Sequence, residues 1–134
     1  MSTPDFRAAA KRHYDDGLLL SGNGRVPGAD HFFGIAAECA IKAALQSAGV
    51  LKFNAKDRPE KPFDKHCPDI WNEYQAQHGG RFPLPKINPF DGNWDISDRY
   101  AAGGAITPAS LESHRSGAYA AQKLLEAIAS QGQT

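Results

Sequence analysis

Segments whose apolar residues recur every three or four positions alternate in this chain with segments broken by proline and glycine, and that contrast predicts its elements. Near the start, Phe6, Ala10, His13, Gly17 and Leu20 repeat at helical spacing and define an inward stripe. Arg7, Lys11, Asp15 and Asp16 fall on the remaining arc and are expected in solvent. The first helix is expected to take Thr3 as N-cap, Pro4 at its first position and Asp5 in its first turn. It should run to about Leu20 and stop at the turn cluster Ser21-Gly22-Asn23-Gly24. A second helix is expected from Ala29 or Asp30 to Ala48, closed by Gly49. It is apolar nearly all round, with Phe33, Ala37, Cys39, Ile41 and Leu45 on different arcs, and a helix of that kind belongs in the core.

The middle of the chain has another character. Residues 50–65 are polar and rich in lysine, and six of the nine prolines lie between Pro59 and Pro89. A short third helix is expected from Pro68 to Gln77, ended by Gly79-Gly80. Residues 81–93 carry Pro83, Pro85 and Pro89 and should form an ordered loop. A short helix is expected over residues 96–102. The last helix has a clear start: Thr107 caps, Pro108 takes the first position, and Leu111, Ala118, Ala121, Leu124, Leu125 and Ile128 carry its apolar side to about Ser130. The expected fold is all-α, an up-and-down bundle of four to five helices with an irregular proline-rich middle. An α+β arrangement would need residues 86–95 to pair as a strand, and their prolines oppose that.

Composition narrows the class further. The 134 residues are read as one domain. Fifteen basic and fifteen acidic side chains give zero net charge, which argues against a bulk nucleic-acid coat and leaves room for a local groove. Residues 50–66 hold five basic and three acidic side chains, and residues 67–134 five and seven, too little segregation for an electrostatic RNA tract. No apolar run reaches membrane-spanning length, and the N-terminus lacks the pattern of a secretory signal. Cys39 and Cys67 lack the spacing of a disulfide framework, so a cytoplasmic location is expected.

The candidate chemistry starts on the second helix. At 100° per residue, His31, Glu38 and Lys42 form a polar stripe on an otherwise apolar helix, with Glu38 and Lys42 an i,i+4 pair in the favourable order. Gly34 on the same side would let another group approach closely. The stripe is either a solvent-facing edge or a polar site at a helix interface, where charges must be paired. In the segment 94–100, Trp94, Ile96 and Tyr100 are expected to anchor the chain, leaving Arg99 as a bidentate ligand for phosphate or carboxylate unless it merely pairs with Asp98 or Asp95. His66-Cys67-Pro68 has no second Cys/His pair at ligand spacing, so no metal site and no cofactor are expected. His13 is expected to be a core histidine. Nucleophile elbow, P-loop and dinucleotide fingerprint are absent.

The run Arg12-His13-Tyr14-Asp15-Asp16, then Gly24-Arg25, Ala29-Asp30-His31 and Gly34-Ile35-Ala36-Ala37-Glu38-Cys39-Ala40-Ile41-Lys42-Ala43-Ala44-Leu45, resembles the HEPN superfamily of helical domains. Lys65-His66, Ile70-Trp71 and Asp98-Arg99-Tyr100 fit the same branch. The resemblance covers most of the chain and implies a helical bundle, a homodimer and an operon-encoded protein partner. It also implies a toxin–antitoxin or anti-phage setting. Many such domains are metal-independent ribonucleases carrying Arg-x4-6-His, whereas others bind RNA, nucleotide or a protein without catalysis. Arg7 to His13 and Arg25 to His31 have the spacing, but both lie toward the N-terminus and Arg25 is followed by Val26 rather than a polar residue. The resemblance is therefore to a branch lacking the standard motif, and a binding module is expected ahead of a ribonuclease. The residues it puts forward are His31, Glu38, Lys42 and Arg99 as catalytic candidates, with His66, Tyr100 and Arg25 for binding.

Overall fold

A computed structural model of the chain describes residues 4–96 and 106–131. Four helices carry the fold: α1 (Phe6–Gly22), α2 (Val26–Ser47), α3 (Asp69–His78) and α4 (Pro108–Gln131). The architecture is the expected all-α bundle. The one β-type pairing among the described residues is an isolated antiparallel bridge between Phe53 and Pro59. The short helix expected over residues 96–102 lies, beyond Ile96, outside the described residues.

Local chemistry explains the ends. The cap of α1 is Asp5 rather than Thr3: its Oδ1 accepts the Ala8 amide at 3.0 Å, which places Pro4 before the helix instead of inside it. Helix α2 starts three or four residues earlier than expected, at Val26, because Pro27 sits in its first turn, where the fixed φ of proline suits a helix and its missing N–H costs nothing. At the head of α4, Thr107 and Ser110 cap each other reciprocally: Ser110 N donates to Thr107 Oγ1 and Thr107 N to Ser110 Oγ, both at 3.1 Å.

Helix α2 is the axis of the molecule. Fifteen of its 22 residues are buried, six of them alanines, and those small side chains let α1 and α4 pack close to it. Phe33, Ile41 and Leu45 of α2 share one buried cluster with Ile70, Trp71 and Tyr74 of α3. The proline-rich segment is ordered by side chains of α3, as expected. Tyr74 Oη donates to the Phe82 carbonyl at 2.6 Å, and the Gln75 amide bonds both the N–H and the C=O of Leu84 at 2.8 Å. Asn88 donates to the Pro68 carbonyl at 2.9 Å and accepts from the Phe90 amide at 2.9 Å, an Asx turn that sends Phe90 and Trp94 into the core.

Candidate functional site

The polar stripe of α2 is not a solvent edge. His31, Glu38 and Lys42 are each buried, at 8%, 8% and 6% exposure. A carboxylate and an ammonium at that depth must be paired, and they are: Lys42 Nζ lies 3.0 Å from Glu38 Oε2. The Lys42 ammonium also sits 5.8 Å from the centre of the Phe6 ring of α1, a cation–π contact that replaces part of its lost hydration.

His66, from the segment before α3, completes the group. Its Nδ1 is 3.0 Å from both Glu38 oxygens, and the Cys67 amide donates to Glu38 Oε1 at 3.3 Å. A carboxylate only accepts, so the hydrogen of the imidazole is on Nδ1 and Nε2 is the remaining nitrogen. The His66 side chain is 58% exposed while the Glu38 side chain is 11% exposed. One buried carboxylate thus fixes the tautomer and tilt of an imidazole that stands in solvent. With the hydrogen on Nδ1, Nε2 of the neutral ring can accept one hydrogen bond or take up one proton, and it donates only once protonated.

Two thiols flank Glu38. Burial pushes Cys39 up to about 12, and the neighbouring Glu38 charge adds to it. Burial, then Glu38, pushes Cys67 well above the usual thiol range. Both are free, buried thiols held in the protonated form, which makes them packing groups rather than nucleophiles.

The other expected residues lie elsewhere. His31 precedes Glu38 by two helical turns, about 10 Å along the axis, and its ring stacks on Trp94, with centroids 5.8 Å apart and planes 16° apart. Arg25 is exposed at the N-cap of α2, before the first turn. Arg99 and Tyr100 lie outside the described residues. The group that forms around Glu38 is therefore Glu38, Lys42 and His66, without His31 or Arg25. Gly34 does admit a close approach, by the Trp94 indole: a Cβ there would lie 1.9 Å from Trp94 Cε2.

A second buried polar group was not expected from the sequence. His114 of α4, fully buried, places Nδ1 2.6 Å from Asp30 Oδ1 and Nε2 2.9 Å from the Asn93 side-chain amide. The Asn93 orientation that satisfies both partners has Nδ2 donating to His114 Nε2 at 2.9 Å and to the Pro89 carbonyl at 3.0 Å. The Trp94 indole N–H donates to the Asp30 carbonyl at 3.0 Å, and Phe90 stacks on the His114 ring at 5.0 Å. This clip ties α2, α4 and the segment 88–94 together. The available signal was the spacing Leu111, His114, Ala118, Ala121, which puts His114 on the inward stripe of α4.

A scan of family models, a search of curated proteins and a search of solved structures each find no match to this chain.

Proposed function

We propose that this chain is a HEPN-like module, divergent from the ribonuclease type, that binds RNA or nucleotide through the His66 imidazole held beside α2. The observation that carries this reading is the contrast within one cluster: Glu38 and Lys42 are buried and paired, while His66, held by the same carboxylate, stands outward. A preorganised imidazole whose Nε2 accepts gives a base-edge N–H or a ribose hydroxyl a hydrogen-bond partner at little entropic cost, and the protonated ring would donate to a phosphate. Cleavage at a ribose 2′-OH calls for more: a base, an acid for the leaving oxygen and a cation against the phosphate. Lys42 is buried on Glu38 and cannot serve as that cation, and the cluster offers one exposed proton-transfer group. A protein partner of the same module, and a role in toxin–antitoxin or anti-phage defence, follow from the sequence resemblance and belong to the same proposal.

A second reading, a metal-independent endoribonuclease, is favoured by one feature of the same geometry. An exposed imidazole backed by a buried carboxylate is suited to taking the 2′-OH proton. The experiment separates the two readings. Fluorescence anisotropy with labelled single-stranded RNA, and thermal shift with nucleotides, are run on the wild type, Glu38→Gln and His66→Ala, with an RNA integrity gel in EDTA. Saturable binding, weakened about tenfold by His66→Ala for the loss of one hydrogen bond at roughly 1.4 kcal/mol, with RNA left intact, supports the binding module. Cleavage that disappears in His66→Ala puts the ribonuclease first. Neither binding nor cleavage across several RNAs and nucleotides overturns both.

A further inference from the structure

Of the five histidines, all among the described residues, His66 alone is exposed; His13 and His78 are half-buried, and His31 and His114 are buried. His78 meets the rings of Phe63 and Tyr74, each with centroids 6.1 Å away, and no carboxylate among the described residues bonds it. His66 differs in a second way. Its Nδ1 lies 3.0 Å from both oxygens of Glu38, so that nitrogen is occupied and Nε2 carries the free lone pair. Lys42, 3.0 Å from Glu38 Oε2, cancels the carboxylate charge. The cluster with a neutral imidazole is therefore neutral, and an approaching anion is not repelled from the ring. A lone pair in these surroundings has a use besides taking a proton. General-base chemistry needs a large substrate oriented on the ring, whereas attack on a small reagent needs access and the right tautomer.

From this geometry we infer that Nε2 of His66 is a phosphoryl-acceptor site, modified by small activated phosphoryl donors of the phosphoramidate or acyl-phosphate class. Phosphoramidate carries its proton on nitrogen near neutral pH. The Nε2 lone pair forms the new N–P bond as the P–N bond of the reagent breaks, and ammonia leaves with that electron pair. The ring keeps its Nδ1 hydrogen and becomes an N-phosphoryl imidazolium. Its new positive charge and the two negative charges of the phosphoryl group sum to the single negative charge of the reagent. An acyl phosphate reacts in the same way, with P–O cleavage and a carboxylate leaving. Glu38 is a positioning residue here: it leaves Nε2 as the reacting nitrogen, and its carboxylate faces the cation that forms. The two thiols beside Glu38 do not compete, because both are buried and held protonated. Labelling of His66 needs no RNA or nucleotide, so it succeeds or fails separately from the binding proposed above.

Intact mass and peptide mapping during incubation with potassium phosphoramidate at neutral pH test it, with phosphorus NMR assigning the nitrogen. The wild type should take up one phosphoryl group, on Nε2 of His66, at least about tenfold faster than His78 is labelled. That advantage should vanish in urea, where both histidines are equally free. His66→Gln should lose the fast phase and keep the slow labelling at His78. Glu38→Met/Lys42→Met removes carboxylate and ammonium together at similar volume, a replacement that buried pairs tolerate, and circular dichroism checks its helix content. In that variant the His66 rate should fall about tenfold and the label should divide between Nδ1 and Nε2, a change of nitrogen that lost stability alone does not produce. Glu38→Gln, closer in shape, should slow labelling in the same direction. A wild-type His66 labelled no faster than His78 overturns the inference. So does wild-type label on Nδ1, or a double variant labelled as fast as the wild type and on the same nitrogen.

Discussion

Glu38 shows how one buried carboxylate can organise a neighbourhood. It accepts from an ammonium, an imidazole and a backbone amide at once, and each partner comes from a different constraint: helical spacing for Lys42, chain path for His66 and Cys67. Removing one side of such a buried pair leaves an uncompensated charge. Lys42→Met should therefore cost about 3 kcal/mol in urea unfolding, and the double variant Glu38→Gln/Lys42→Met should recover more than half of that. A double variant no more stable than Lys42→Met would show that the pair is not coupled as the distances require. His13 offers a titration of opposite character. Burial, helped by the Arg12 charge and partly opposed by Asp16, holds its imidazole below the usual histidine range, so the folded state prefers it neutral. The sign follows from linkage: the unfolded chain takes up the proton first, so this contribution to stability is complete above about pH 6.5 and is lost as the pH falls below it. Urea midpoints measured from neutral to mildly acid pH should fall more steeply in the wild type than in His13→Gln. Parallel profiles would contradict burial as the source of the shift.

At the level of elements, what is legible in the sequence is what depends on near neighbours. The cap and first proline of α4, the end of α2 near Gly49 and the Glu38–Lys42 pair all follow from residues within four positions of each other. The start of α2 is harder to place because Val26-Pro27-Gly28 reads as a turn, whereas proline in a first helical turn extends the helix toward its N-terminus. Partners far along the chain leave no signature in spacing: His66 is 28 residues from Glu38, and His114 is 84 from Asp30. The Trp94 clamp belongs to the same class. Gly34 has no room for a side chain, since the nearest indole atoms would lie 1.9, 2.2 and 2.4 Å from its Cβ. Gly34→Ala should push the indole off α2, break its bond to the Asp30 carbonyl and destabilise the fold by roughly 2–3 kcal/mol, the upper part of the range for an overpacked core. Gly22→Ala, where a Cβ meets nothing within 4 Å, is the control, and it should be neutral or slightly stabilising. Equal chemical-denaturation midpoints for the two variants would show that the indole does not clamp α2.

Across the whole molecule, two polar centres sit on one apolar helix and serve different ends. The Asp30–His114–Asn93 group is enclosed and ties α2 to α4 and to the segment 88–94, while the Glu38–Lys42–His66 group reaches solvent through a single imidazole. Zero net charge fits this division, since the charges that matter are placed in pairs rather than spread as a field. No described helix is long and apolar enough to cross a membrane. What the proposed function adds is a direction, from buried carboxylate through imidazole to ligand. The side-chain nitrogen resonances of His66, followed by NMR during titration with single-stranded RNA and with nucleotides, read that direction atom by atom. The expected result is a hydrogen on Nδ1 in the unliganded protein, lost as a fixed tautomer in Glu38→Gln, and a saturable shift at Nε2 when ligand is added. An imidazole that averages its tautomers like a free surface histidine, with no shift from any RNA or nucleotide, would contradict the central claim.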